Sequence, residues 1–358
     1  MPEIRVAIVG VGNSASALVQ GVQYYKDAME ETTVPGLMHV KFGPYHVRDV
    51  KFVAAFEVNK DKIGKDLSQA IFTAPNCCAK FADVPNLGVK VTGGPIFDGV
   101  ADHMKKVFNV YKNEVKPEHV AEVLKKTKAE ILINYLPVGS RNAARFYAQA
   151  AIDAGCAMIN CMPEFIASDA TWSRKFEEKA LPIAGDDIKS QLGATILHRV
   201  IARLAVDRGV IIDETYQLNL GGDTDFLNMT VEERLKTKRI SKTEAVTSMV
   251  PYDLPTRIGP SDYVPFLGNK KICYLWLKGR KFGDRPLTIS AKLEVEDSPN
   301  SAGVVIDLIR AVKIALDRKI GGALLSISSY AFKHPPIQVP DTTARQAVEE
   351  FIQGKRER

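Results

Sequence analysis

Cysteine is scarce in this chain. Its five residues, Cys77, Cys78, Cys156, Cys161 and Cys273, form no C-x-x-C pair and no metal-finger spacing, which argues against a disulfide scaffold and for a reduced, cytoplasmic setting. The six histidines are scattered, so spacing offers no zinc site. No apolar run approaches the ~18 residues that would suggest a membrane span. The N-terminal residues run into a strand pattern without the basic, apolar and cleavage regions of a secretory leader. Charge of one sign is also lacking. A net +6 is spread over 48 basic and 42 acidic residues, interleaved throughout, which does not suggest nucleic acid. It suits an anionic small substrate as well as ordinary surface variation. There is no internal repeat or low-complexity tract.

The 358 residues, 46% hydrophobic, suffice for one large domain or two ordinary ones. Apolar runs alternate with helical stretches through the first half, the pattern of a parallel α/β sheet. Strands are expected at Ile4–Val9, Phe52–Val58, Ile131–Tyr135 and Ala157–Cys161, with a helix over Ser14–Met29. An irregular insert, Glu31–Val50, is too apolar to stay solvated and is expected at the cofactor or subunit interface. After Asp186 the texture changes. A long helix over Ile188–Asp207 leads to extended stretches at Glu214–Leu220, Ile272–Leu277 and Leu287–Val295. A final amphipathic helix is expected to start with Ser298 as N-cap and Pro299 at its first position. The fold class is therefore α/β: a Rossmann-type doubly wound parallel sheet (1–187), an inserted α/β catalytic and oligomerisation domain (188–297), and a C-terminal segment (298–358) packing back on the first.

"VAIVGVGNSA" joins the first strand to its helix and carries Gly10, Gly12 and Ala15 as G-x-G-x-x-A. The first glycine makes a tight turn, the second lets the backbone approach a pyrophosphate, and the alanine lets helix and strand pack closely. Asn13, Ser14 and Ser16 can touch phosphates or cap the helix. An acidic residue should follow to bind the ribose. Glu57 ends the second strand in the right structural place, although the insert pushes it 45 residues beyond Gly12, and Asp66 is a second candidate. A carboxylate there favours NAD over NADP. Tyr147 either faces the nicotinamide half or is a core tyrosine.

The densest polar cluster is "AGDDIKSQLGATI", with Asp186, Asp187, Lys189 and Ser190 at the expected start of the long helix. A lysine at a helix N-terminus is electrostatically unfavourable and loses its proton more easily, as a general base requires. Lys238 and Lys242 stand four apart, hence on one face if helical. Asp223 and Asp225, in "GGDTDF", could hold a cation, but turns are favoured. Cys77-Cys78 reads as a loop pair.

Together "GVGNSASALVQG", "VPGLMHVKFGPYHVRDVKFVAAFE", "YLPVGS", "GDDIKSQLGATI", "LNLGGDTDFLNM", "KRISKTEAV", "IGPSDYVPFLG" and "DSPNSAG" resemble the L-myo-inositol-1-phosphate synthases in their short prokaryotic form, over nearly the whole chain. The resemblance implies an isomerase of glucose 6-phosphate that uses tightly bound NAD, recycled within each turnover. It also implies a homotetramer and a possible monovalent or divalent cation. Lys189 would be the base at the C5 hydroxyl, with Lys238, Lys242 and Lys333 as further catalytic lysines and Asp262 orienting one of them. Gly10, Gly12, Asn13, Ser14, Ala15, Glu57, Asp66, Tyr147, Asp187 and Ser190 would hold the cofactor. Where longer eukaryotic enzymes carry a further lysine after the KS motif, this chain has Gly193, Ala194 and Thr195. The alternative reading is a two-domain NAD-dependent dehydrogenase with net redox.

Overall fold

Ile4–Val9 is buried along almost its whole length, as befits a central parallel strand covered on both faces. In the computed structural model, which describes residues 2–112 and 115–358, it pairs in parallel with Val50–Glu57 on one side and Ile131–Asn134 on the other. The full seven-stranded order is Gly322–Ala323, Pro182–Gly185, Ala157–Asn160, Ile131–Asn134, Ile4–Val9, Val50–Glu57 and Val91–Gly93. The chain leaves Ile4–Val9 in both directions, which opens a crevice at the carboxyl ends of the central strands, the usual ligand position in such sheets. Helices Asn13–Tyr25 and Asp297–Asp317 pack together on one face around Leu18, Val305 and Ile309. The last helices and the edge strand Gly322–Ala323 thus return the C-terminal segment to the first sheet.

The second sheet runs Thr256–Tyr263, Ile211–Gly221, Lys270–Lys281, Arg285–Glu296. Its last three strands contain the three stretches expected from alternation. Thr256–Tyr263 was not expected, because "TRIGPSDY" has no period-two pattern. It is a parallel edge strand whose register shifts between Pro260 and Asp262, and an edge tolerates a proline with no N–H to donate. One sheet face packs on helices Ala194–Asp207 and Glu232–Thr247 through Ala202, Val246 and Leu277.

Two expectations need correction. The helix placed over Ile188–Asp207 begins only at Ala194, with Gly193 as N-cap. The preceding amides are spent elsewhere: Asp187 N–H donates to Met162 O, Ile188 N–H to Cys161 O, Lys189 N–H to Ala331 O and Gln191 N–H to Asn300 O. Asp187 also has φ +62°, outside the right-handed helical region. Lys189 therefore does not sit at a helix N-terminus, and the dipole argument for its reactivity falls. The final helix likewise starts at Asp297, with Glu296 and not Ser298 as N-cap.

The insert is well packed, but against this chain's own C-terminal helices and not the crevice. Phe42 and Val47 are fully buried in the main core. Met38 N–H donates to Asp307, Arg310 donates to Val40 O, and His39 meets Glu349 at 2.8 Å. Gly36 lies so close to the helix Asp297–Asp317 that a Cβ on Gly303 would fall 1.8 Å from Gly36 O.

Candidate active site

The crevice is a single cleft running from the glycine loop to a group of lysines. Gly10 has φ +90°, and a Cβ there would meet Tyr135 O at 2.6 Å, so this turn requires glycine. A Cβ on Gly12 would meet nothing within 4 Å, which leaves space over the loop for an approaching phosphate. Ala15 is buried beneath, allowing close helix packing. Ser14 lines the cleft, whereas Ser16 is buried and accepts a hydrogen bond from Gln20. Asn13 Oδ1 accepts from the amides of Cys77 and Cys78, tethering that loop to the helix start.

Glu57 lies beside this loop. Its Oε1 accepts from Val58 N–H at 2.7 Å and Asn59 N–H at 3.2 Å, and its Oε2 accepts from Val11 N–H at 3.0 Å. The buried Lys62 ammonium is 3.8 Å away and donates to Val11 O. A carboxylate ending the second strand next to an open glycine turn is the donor and acceptor arrangement a dinucleotide needs. Asp66 is not part of it. Both its oxygens are used by Ser68, Leu87 and Val89, capping the short helix Leu67–Ala70 outside the cleft. Tyr147 is a buried core residue packed on Phe56, and it also lines the cleft. Ser190 lines the cleft as well.

At the far end, Lys238, Lys242, Lys271 and Lys333 face the cleft together. Helix Glu232–Thr247 brings the first two onto one face, strand Lys270–Lys281 carries Lys271, and Lys333 follows helix Leu325–Ala331. Asp187, fully buried, is the hub. Its Oδ1 accepts from Lys238 at 3.0 Å and Lys333 at 2.9 Å, and its Oδ2 accepts from the Ser241 hydroxyl. It stands behind the lysines, not on the cleft wall. Lys271 is held by Asp297 at 3.1 Å. The Lys242 ammonium has no hydrogen-bond or ion-pair partner among the described residues, although only 3% of the residue is exposed.

These surroundings set the protonation states. Burial opposes the charge on Lys238, but Asp187 and Asp225 outweigh it and raise its pKa. Burial pulls Lys333 down to about 8, partly offset by Asp187, with Lys238 and Lys271 adding to the fall. Lys242 is lowered well below its ordinary value, by burial and then by Lys271, Lys238 and Lys333, with Asp187 opposing. Asp187 stays ionised against burial because Lys238 and Lys333 lie beside it. Asp223 caps helix Thr224–Asn228, as a turn residue would, and burial with Asp225 and Asp297 nearby raises it to about 7. No group of His, Cys, Asp or Glu among the described residues is arranged to ligate a metal.

Two expected catalytic residues lie elsewhere. Lys189 is 1% exposed and points away from the cleft, donating to Ser329 O and Asp341 Oδ1. Asp262 is exposed on the outer edge strand, and its carboxylate accepts from Tyr263 N–H. The lysine partners are instead Asp187 and Asp297. Lys271 was missed, although strand alternation in "NKKICYL" requires one of the paired lysines to point inward. Nothing local marks Asp297, which opens a helix like any acidic first-turn residue.

Residues 193–298 match the family model described as myo-inositol-1-phosphate synthase. The chain is 56% identical to an inositol-3-phosphate synthase of Mycolicibacterium smegmatis, with 98% of each chain covered. It is 54% identical to that of Corynebacterium glutamicum, again over 98% of both. Among solved structures, a myo-inositol-1-phosphate synthase-related protein from Thermotoga maritima superposes with a TM-score of 0.83 over 98% of both chains. Its 24% identity speaks for the fold alone. With that identity over essentially its whole length, the chain belongs to the inositol-3-phosphate synthase family.

Proposed function

We propose that this chain converts glucose 6-phosphate into myo-inositol 1-phosphate, with NAD held between the glycine loop and Glu57. NAD supplies, when bound, a hydride acceptor for C5 that returns the same hydride at the end of the turnover. The observation that carries this reading is Lys242, a buried residue whose amino group has no hydrogen-bond or ion-pair partner among the described residues and which faces three other lysines in a cleft continuous with the glycine loop. Such a group calls for an anion or a proton.

The reaction removes the proton of the C5 hydroxyl and then one from C6, joins C6 to C1, protonates the C1 oxygen and finally the C5 oxygen. Two protons leave and two return. Lys333, lowered by burial to about 8, can give and take them near neutral pH, and Lys242, lowered by burial and by the neighbouring lysines, is the second amino group placed to do so. Lys238, held protonated by Asp187, and Lys271, paired with Asp297, are fixed positive charges for the phosphate and for oxygens that become anionic. Preorganised charges of this kind contribute several kcal/mol each to barrier lowering. The proposed catalytic set is therefore Lys238, Lys242, Lys271 and Lys333. Lys189 is removed from it.

The enzyme acts in the cytoplasm as a homotetramer on this reading. Tyr216, Leu218 and Tyr274 are exposed on the outer face of the second sheet, and Tyr216 stacks on Trp276. An aromatic sheet face of this kind suits burial against a second copy. The test is phosphorus NMR of glucose 6-phosphate with the protein and substoichiometric NAD, while absorbance at the NADH wavelength is followed. A new cyclic, non-reducing phosphate ester with no net NADH supports the proposal. Stoichiometric NADH would favour the dehydrogenase reading.

A further inference from the structure

Lys189 lies in the polar cluster "AGDDIKSQLGATI", yet it faces away from the cleft. Its contacts suggest what it does instead. Asp341, the first residue of the last helix, accepts from Lys189 Nζ at 3.0 Å through Oδ1 and from Arg199 Nε at 2.9 Å through Oδ2. Arg199 is fully buried and spends its remaining donors on three backbone or side-chain acceptors from two other elements. One nitrogen donates to Ala245 O, three residues beyond Lys242 on the same helix, and to Gln338 Oε1. The other donates to Val339 O. Gln338 in turn donates to Lys333 O at 2.6 Å. Lys189 Nζ also donates to Ser329 O, and its backbone N–H to Ala331 O, both just ahead of Lys333.

We infer that the Lys189–Asp341–Arg199 cluster is a positioning device that locks three elements in register: the Asp187 loop, the helix bearing Lys238 and Lys242, and the segment bearing Lys333. All three carry groups of the lysine cluster, but none is adjacent in sequence to another. A planar guanidinium with fixed donor directions, gripped by one carboxylate, sets distance and angle between elements in a way apolar packing alone does not. The second cation is what distinguishes the arrangement from an ordinary buried ion pair. With two cations on one carboxylate, removing Asp341 leaves both without a counter-charge and loosens the two side chains whose other hydrogen bonds reach all three elements. Misplacement by about 1 Å can cost about 10²-fold in rate. The cluster touches neither the glycine loop nor Glu57.

This inference rests on the proposed role of the cleft lysines, so its test has an arm independent of turnover. Asp341→Asn, Asp341→Glu and Lys189→Met would be compared with Asp207→Asn, which removes only the surface pair Arg203–Asp207 on the helix of Arg199. Affinities for inorganic phosphate and for NAD, the pH profile of kcat, and kcat and KM for glucose 6-phosphate would be measured on variants that remain folded at assay temperature. Asp341→Asn should weaken phosphate binding about tenfold, lower kcat by about ten- to hundredfold and move its pH profile, and leave NAD affinity within about twofold. Asp341→Glu should recover part of each loss, and Asp207→Asn should match the wild type. If the wild type binds phosphate but does not turn over glucose 6-phosphate, the functional reading fails while the phosphate arm still judges the cluster. Unchanged phosphate affinity and an unchanged pH profile in folded Asp341→Asn would overturn the positioning role. A parallel loss of NAD affinity would overturn it too, by showing general loosening.

Discussion

Replacing Lys242 with methionine should destroy activity and stabilise the protein. The side chain is 3% exposed, has no partner among the described residues, and lies near Lys238, Lys271 and Lys333. The folded state must therefore either hold an uncompensated ammonium or give up its proton, and each costs free energy that an unfolded chain does not spend. Methionine fills nearly the same volume without a charge. A gain of about 1–2 kcal/mol is expected, in line with other destabilised functional sites. At about 2.1 cal/mol/K of unfolding entropy per residue, a chain of this size gains roughly 1.3 °C in Tm per kcal/mol, so the rise should be about 1–3 °C. Its pH dependence follows from linkage. The folded pKa lies below the unfolded one, so between the two the unfolded chain binds more protons and wild-type stability increases with pH. The variant has no such term, and its advantage should be largest near neutrality and fade as pH approaches 10.5. Loss of the amino group should reduce kcat by about 10²–10⁴. Thermal unfolding from pH 7 to 10, together with phosphorus NMR turnover, checks both halves. A lower Tm at pH 7, or near-normal turnover, would refute the reasoning.

Three further outcomes are expected. Lys333, with its pKa lowered to about 8 by burial, should give kcat an ionisation near that value, and Lys333→Met should remove it from a pH–rate profile along with most of the activity. Gly10→Ala, which forces a Cβ to 2.6 Å from Tyr135 O at φ +90°, should cost about 2–4 kcal/mol in denaturant unfolding and abolish NAD binding by calorimetry. Asp66→Ala should lower stability through its helix cap by about 1 kcal/mol yet leave NAD affinity unchanged, whereas Glu57→Gln should weaken NAD binding.

Local chemistry carried much of this protein in its sequence. The apolar run Ile4–Val9 followed by Gly10, Gly12 and Ala15 determines a strand, a turn and a helix start, because φ +90° and close packing admit few residue types. Lys238 and Lys242 share a face because helices repeat every 3.6 residues. Other features were decided only by chain folding. Whether residues 188–193 are helical depended on carbonyls of Cys161, Ala331 and Asn300, which are distant in sequence and claim the amides a helix would use. The carboxylate that holds Lys238 and Lys333 had to come from a third element, so Asp262, near in the sequence, was the wrong partner and Asp187 the right one. Lys189 and Lys333 have similar pKa shifts from similar burial, and only direction separates them: one amino group points at Asp341 behind the site, the other into the cleft. Periodicity and turn chemistry act over a few residues and are written locally. Charge pairing and orientation are set by which elements the core brings together, and that depends on the whole chain.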